Sequence, residues 1–373
     1  MRRKVLGEID AAGHRKEATG MMIVDEPVRG TFAYLEQPGL FAMPAVDQLR
    51  LFVERRLPAP PLTHLCGLVV EDASDGATTW SMPASPWWQT AATSFAGGAL
   101  AFVADAALAG AVFTRLETGS MLLTSDLSMS FLELAAPSSE RLVARGTVID
   151  VGRRQGLSEA RIEDAHGTLL AHATSRCVLQ PLPFEPSQPP RELPVVEQPT
   201  FDTPDPHLRP VEGEIVPQPV WDRTTGLDLV RLWQKGDIPA SPNCSLLGLR
   251  FEEAAEGNAT LAMPASLWFC TGFGTFYGGA VTALADAAIN TAVTTTLPPG
   301  SSFGTLGLKV NFLRTVTPDG RELVARASVE HRGRTIAVTT ARIDDADGRR
   351  VAMATGSAMI SEGRPWQRPG TTR

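Results

Sequence analysis

The sequence predicts an α+β protein built from two tandem copies of one unit, each an antiparallel sheet wrapped around a long apolar helix. Three observations carry this reading: a gapless internal repeat, a Gly-Gly-started apolar segment in each copy, and a run of alternating segments behind it. Met82-Pro-Ala-Ser85 recurs as Met263-Pro-Ala-Ser266, Gly97-Gly98-Ala99 as Gly278-Gly279-Ala280, and Ala104-Asp105-Ala106-Ala107 as Ala285-Asp286-Ala287-Ala288. Leu142-Val-Ala-Arg145 recurs as Leu323-Val-Ala-Arg326, and Ala160-Arg-Ile162 with Asp164 as Ala341-Arg-Ile343 with Asp345. Every pair is offset by 181 positions (263 − 82), and the register holds from residue 82 to residue 167. Repetition at one fixed offset marks a duplicated structural unit.

Each copy opens on a short amphipathic helix (45–56; 227–235). A strand pair follows, around 66–70 and 77–82 in the first copy and around 247–252 and 258–263 in the second. After a loop rich in aromatic residues comes the helix begun by Gly97 or Gly278. It must be buried on nearly all sides, because it is apolar nearly all round. Val, Ile, Thr and Leu then alternate at period two over 125–134, 142–151, 157–163 and 168–179, and over 305–314, 322–331, 335–344 and 349–360. With Asp-x-x-Gly turns at Asp164–Gly167 and Asp345–Gly348, these segments read as an antiparallel meander of five or so strands per copy. The expected domains are residues 45–180 and 226–361, with sheets joined edge to edge and long helices antiparallel. Residues 1–44 read as a weakly patterned extension and 362–373 as a loose tail. Twelve prolines in 179–219 make 181–225 an extended, semi-rigid linker.

Composition narrows the function classes. The net charge is −7, so broad electrostatic binding to nucleic acid or anionic membrane is not expected. The low-charge stretches 97–116 and 278–297 each carry a mid-segment aspartate, which disfavours membrane spans. Cys66, Cys177, Cys244 and Cys270 form no C-x-x-C pair, and the six histidines show no metal spacing. Neither a metal nor a cofactor is expected, since no phosphate-loop, dinucleotide, zinc-protease or serine-hydrolase motif occurs. With a charged N-terminus lacking an apolar core, the expectation is a cytoplasmic chain.

The run Met-Pro-Ala-Ser, Gly-Gly-Ala-x-x-x-x-Ala-Asp-Ala-Ala, Leu308-Lys-Val-Asn-Phe-Leu-Arg314, His331-Arg-Gly-Arg334 and Asp345-Ala-Asp-Gly348 resembles the PaaI-type hotdog thioesterases over roughly 270 residues of both copies. The resemblance implies a double hotdog that hydrolyses acyl-CoA thioesters, with acyl-CoA as partner and sites at the junction of the two copies. A pseudo-dimer of this kind can also pair further with itself.

Helix geometry decides how such sites are assembled. The first amides of a helix lack intrahelical partners and sit at the positive end of its dipole, so those of Gly97 and Gly278 can hold an oxyanion. Asp105 lies eight residues past Gly97, about 12 Å along the axis, too far to share one carbonyl with it. Gly278 is therefore paired with Asp105, and Gly97 with Asp286, the carboxylate acting as base or nucleophile. Tyr277 is expected to donate a hydrogen bond to the thioester, Thr271 to position water, and Thr275 and Arg314 to keep the setting of the Gly278 site polar. Arg332 and Arg334 are expected to bind the CoA phosphates. The family's usual His before Gly-Gly is Tyr277 in one copy and Ala96 in the other; its usual Asn is Thr271 and Thr90. Glu133 stands opposite Arg314 in the repeat, so the Gly97–Asp286 site is expected to be the weaker. Trp87, Trp88, Trp268, Phe269, Phe273 and Phe276 are read as candidates for an apolar acyl pocket. Two other functions compete: a non-catalytic acyl-CoA-binding hotdog, and a hotdog enoyl-CoA hydratase, which would need an Asp/His pair that neither copy has.

Overall fold

The computed structural model describes residues 22–197 and 199–361. The expected tail from residue 362 onward, and the extension up to residue 21, lie outside the described residues. Each copy contributes six strands, the expected pair and the four alternating segments. The first has β1 (Val69–Ser74), β2 (Ala77–Pro83), β3 (Ser120–Phe131), β4 (Arg141–Val151), β5 (Gln155–Asp164) and β6 (Leu169–Pro181). The second has β7 (Arg250–Ala255), β8 (Asn258–Pro264), β9 (Ser302–Phe312), β10 (Glu322–Arg332), β11 (Ile336–Asp344) and β12 (Arg350–Ser361). All twelve form one antiparallel sheet in the order β1-β2-β4-β5-β6-β3-β9-β12-β11-β10-β8-β7. The meander is thus confined to β4-β5-β6, and β3 crosses back to pair with β6.

The two half-sheets meet edge to edge at β3 and β9, where Asp126 faces Asn311 and Ser130 faces Gly307. Asn311 is the repeat of Ser130 and Gly307 the repeat of Asp126, so the seam is self-complementary, as at a two-fold interface. Between β5 and β6, and again between β11 and β12, an aspartate closes the turn. Asp164 Oδ1 accepts from the His166 and Thr168 amides at 2.9 and 2.8 Å, and Asp345 Oδ1 from those of Asp347 and Arg349 at 3.0 and 2.9 Å. Gly167 and Gly348 supply the positive φ these turns need.

The long helices are Gly97–Phe113 and Gly278–Thr294, and nearly every residue of each is buried. Each starts against the middle of the other, so they run antiparallel. Small residues let them touch: a Cβ at Gly98 would lie 2.8 Å from Ala283 Cα. The segments just before β1 and β7 are short helices, Pro61–Cys66 and Pro242–Leu247, not strand. Proline stands at their first turn and the left-handed Gly67 and Gly248 end them. All four cysteines are buried and unpaired. No described helix is long and apolar enough to cross a membrane.

The chain before each copy is structural. Residues 22–30 and 203–210 run side by side in opposite directions, tied by Glu26–Arg209 at 2.6 Å and Arg29–Asp205 at 3.0 Å. Each offers its carbonyls to the other copy. Val24 and Glu26 accept from Ser266 Oγ and Trp268 Nε1 at 2.8 and 3.1 Å, and His207 and Arg209 from Ser85 Oγ and Trp87 Nε1 at 3.5 and 3.2 Å. Pro27-Val28-x-Gly30 matches Pro210-Val211-x-Gly213 at an offset of 183 (213 − 30), so the straps are themselves repeated.

Replacing glycine by alanine inside a helix ordinarily stabilises it by about 1 kcal/mol. At Gly98 the new methyl would press on the Ala283 backbone, and overpacking of this kind costs about 1–3 kcal/mol. Gly98→Ala is therefore expected to lower the melting temperature; a thermal unfolding scan showing an increase would mean that the helices do not meet there.

Candidate active site

The antiparallel helices bring each aspartate to the amides that open the other helix. Asp105 Oδ2 accepts from Gly279 N–H at 2.8 Å, and Asp286 Oδ2 from Gly98 N–H at 2.9 Å. Glycine is needed at these starts: a Cβ at Gly278 would sit 2.9 Å from Asp105 Oδ2, and one at Gly97 2.9 Å from Asp286 Oδ1. The two aspartates are almost wholly buried. Loss of hydration raises each carboxyl pKa to about 6, against the lowering pull of these amides.

The two junctions then differ. Asp105 has one further contact, Thr124 Oγ1 at 3.5 Å. At Asp286, Asn290 Nδ2 donates to Oδ1 at 2.9 Å, and Thr305 Oγ1 donates to Asn290 Oδ1 at 3.0 Å, so the carboxylate is locked within its own copy. The Gly97 amide also helps to hold Asp286 ionised. Gly278 N–H has no acceptor among the described residues. A cavity of about 1700 Å³ is lined by both Asp105 and Gly278, whereas neither Asp286 nor Gly97 lines it.

Thr271, Thr275, Tyr277 and Arg314 line this cavity. The Thr271 and Thr275 hydroxyls bond each other at 2.9 Å, and Arg314 donates to the Arg350 carbonyl at 2.6 Å. Tyr277 departs from expectation. Its hydroxyl donates to the Phe102 carbonyl of the facing helix, so only its ring is left to meet a ligand. Thr90 serves its own turn, donating to Ser94 O at 3.0 Å and accepting from Ala92 N–H at 3.2 Å. In that turn Thr93 has φ 76°, a strained value for a β-branched residue, where the copy-two turn has Gly274 at φ 71°.

Arg332 and Arg334 are not brought to the cavity. They line a separate shallow depression with Glu256 and Thr296, and Arg332 donates to Thr296 Oγ1 at 3.3 Å. The matching hairpin of the first copy, with Arg153 and Arg154, is the one beside the cavity: Leu179 N–H bonds Arg154 O at 2.9 Å, and neighbouring Val178 is in the lining. Of the loop aromatics, Phe273 and Phe276 line the cavity, whereas Trp87, Trp88, Trp268 and Phe269 are core. Part of the wall comes from segments expected to lie outside the domains, Tyr34 and Phe41 before the first copy and Leu182, Phe184 and Phe201 in the proline-rich linker, beside Phe52 of the first amphipathic helix.

Two family models match the chain. The acyl-CoA thioesterase C-terminal domain matches residues 43–179, and the thioesterase superfamily matches residues 273–352. No curated protein matches. Among solved structures, acyl-CoA thioesterase II TesB2 from Mycobacterium marinum is 12% identical over 81% of this chain and 98% of its own, with a TM-score of 0.47. A thioesterase family protein from Silicibacter pomeroyi is 30% identical over 33% of this chain and 90% of its own, with a TM-score of 0.31. The PaaI protein of E. coli is 25% identical over 33% of this chain and 86% of its own, with a TM-score of 0.31. Each of the two copies is therefore matched by a thioesterase domain model, which makes the chain a tandem double hotdog and a thioester hydrolase.

Proposed function

We propose that the chain hydrolyses acyl-CoA thioesters at one composite site, formed by Gly278 and Asp105. The observation that carries this reading is the large cavity, which reaches an unbonded helix-start amide and a buried carboxylate at the same junction. In this mechanism the Gly278 N–H, at the positive end of its helix, polarises the thioester carbonyl. Asp105 takes a proton from water as the water oxygen bonds to the carbonyl carbon. The tetrahedral oxyanion is held by Gly278. It then collapses with cleavage of the C–S bond, and the departing thiolate takes up the proton, giving free acid and CoA. Direct attack by the carboxylate, with water hydrolysing the resulting anhydride, uses the same atoms. Thr271 and Thr275 sit on the cavity wall where they can orient water, and the Tyr277 ring packs beside the reacting group. At the other junction Asp286 accepts from the Gly98 amide, Asn290 holds that carboxylate, and neither Gly97 nor Asp286 lines the large cavity, so its role in this reading is structural.

Asp105→Asn is expected to lower kcat about a hundredfold or more, while Asp286→Asn lowers it far less. Steady-state thiol release by both variants on one acyl-CoA checks this; equal losses would mean two working sites.

The raised carboxyl pKa has two further consequences. A base must be deprotonated, so kcat/KM is expected to rise with pH through about 6 and level off above it. A pH–rate profile with no limb near 6 would remove Asp105 as base.

For stability the sign is the reverse of the usual carboxylate case. Between about pH 4 and 6 the folded protein keeps the proton on Asp286 that the unfolded chain has lost. Stability is therefore lost as pH rises through that window, on the order of 3 kcal/mol for each such aspartate. Denaturant unfolding of Asp286→Asn should show its stability gaining on the wild type from pH 4 to 7, whereas a gap independent of pH would contradict the raised carboxyl pKa.

A further inference from the structure

The left-handed residue that ends the first amphipathic helix is an arginine where the repeat has a glycine. The helices Ala45–Val53 and Gly226–Gln234 stand 181 positions apart (226 − 45) and close in the same way. Arg55 N–H donates to Phe52 O at 3.1 Å and Arg56 N–H to Leu51 O at 2.8 Å. Gly236 N–H donates to Trp233 O at 3.0 Å and Asp237 N–H to Leu232 O at 2.9 Å. This closure turns one residue left-handed, with φ 57° at Arg55 and 69° at Gly236. Glycine adopts that conformation freely and a residue with a Cβ does not. The second copy carries the residue the turn favours. The first copy keeps the strain, and strain retained beside a ligand cavity points to a use for the side chain.

Arg55 lines the large cavity beside Val53, Leu57 and Phe113. Its carbonyl accepts from Val196 N–H of the linker at 2.8 Å, so both of its backbone groups are engaged. Its guanidinium has no acceptor among the described residues, the adjacent Glu54 being taken by Arg56 at 2.9 Å. The acidic residues of the lining are engaged elsewhere: Glu71 with Arg141, Asp205 with Arg29 and His64, and Asp105 with Gly279 N–H. Arg314, the other arginine of the lining, donates to the Arg350 carbonyl. Arg153 and Arg154 add positive charge at the Arg55 end. Leu179, whose amide bonds Arg154 O, packs in one apolar cluster with Leu51 and Leu57, which bracket Arg55 in the chain. An uncompensated guanidinium matches the oxygens of a phosphate or a carboxylate.

We infer that Arg55 is held in this conformation to bind an anionic group of the thioester substrate. This rests on the thioesterase reading of the same cavity and adds a substrate-binding residue to it. A CoA phosphate and a carboxylate at the far end of the acyl group share this chemistry, and the nearby hairpin arginines favour the phosphate. A contact made equally in the ground state and the transition state acts on KM and leaves kcat.

Arg55→Gly, which copies the second helix, tests the strain and the contact together. It should raise the melting temperature by about 1–2 °C as the strain is relieved. It should also raise KM for decanoyl-CoA about tenfold with kcat little changed, and Arg55→Lys, which keeps the charge, should retain part of the affinity. Decanoyl-pantetheine lacks every CoA phosphate, and sebacoyl-pantetheine adds a distal carboxylate to it. A loss confined to the CoA thioester assigns Arg55 to a phosphate. A loss on sebacoyl- but not decanoyl-pantetheine assigns it to an acyl carboxylate. Unchanged KM on all three, a loss of the same size on all three, or a fall in melting temperature would overturn the inference. Calorimetric binding of the non-hydrolysable S-decyl-CoA thioether keeps this separate from the hydrolase reading. A Kd raised about tenfold by Arg55→Gly, with no turnover of any thioester, would retire hydrolysis and leave the anion contact standing. Absence of binding and turnover in the wild type would retire both.

Discussion

Two hydrogen bonds organise this molecule: each central helix presents the carboxylate of its middle aspartate to the first amides of the other. Asp105 meets Gly279 and Asp286 meets Gly98. A buried carboxylate is strongly unfavourable unless its charge is answered, and the helix start answers it with unsatisfied N–H groups and a positive dipole end. The pairing requires antiparallel helices at close contact, glycine where the carboxylate arrives, and a sheet continuous enough to hold both helices in place. Edge-to-edge pairing of β3 with β9 meets the last requirement. The residues that join the copies thus include Gly278 and Asp105, to which the proposed mechanism assigns the thioester chemistry.

A symmetric homodimer would have to keep both junctions alike, since every change in one appears in the other. A tandem chain is free of that constraint, and the two junctions have diverged. One keeps Ala109, Gly110 and Gly274 and opens onto the large cavity. The other has Asn290 tied to Asp286 and Thr305, Thr291 donating to its own helix at Ala287 O, and Thr93 in a left-handed conformation. Those differences spend the hydrogen-bonding capacity of that junction within the protein itself.

The segments outside the sheets complete the site. The antiparallel straps at 22–30 and 203–210 cross between copies, clasped by Glu26–Arg209 and Arg29–Asp205, and Asp205 also holds His64 Nδ1 at 2.9 Å. Farther along, Tyr34, Phe41 and Phe52 join Phe113 and Phe273 in one aromatic cluster, with Phe184 of the linker against Phe41. Proline-rich composition favours an extended path, and here that path lies along the cavity wall.

The repeat, the α+β class, the apolar helices and the cross-pairing of Gly278 with Asp105 were legible in the residues themselves. Each rests on a local or periodic rule: a fixed offset, hydrophobicity at period two, glycine at a helix start, and 1.5 Å of rise per residue. The strap repeat is also written in the residues, as Pro-Val-x-Gly at an offset of 183, two positions out of step with the 181 of the sheets and helices. The rest is a matter of which surfaces meet. That the Tyr277 hydroxyl turns to Phe102, that Arg332 and Arg334 lie away from the cavity, and that four of the six loop aromatics are core follow from contacts between residues far apart in the chain. Ala109 against Asn290 was visible as a difference between copies. Only the packed helices place Ala109 on the wall of a cavity and Asn290 against a carboxylate, because a side chain's effect depends on the space its neighbours leave.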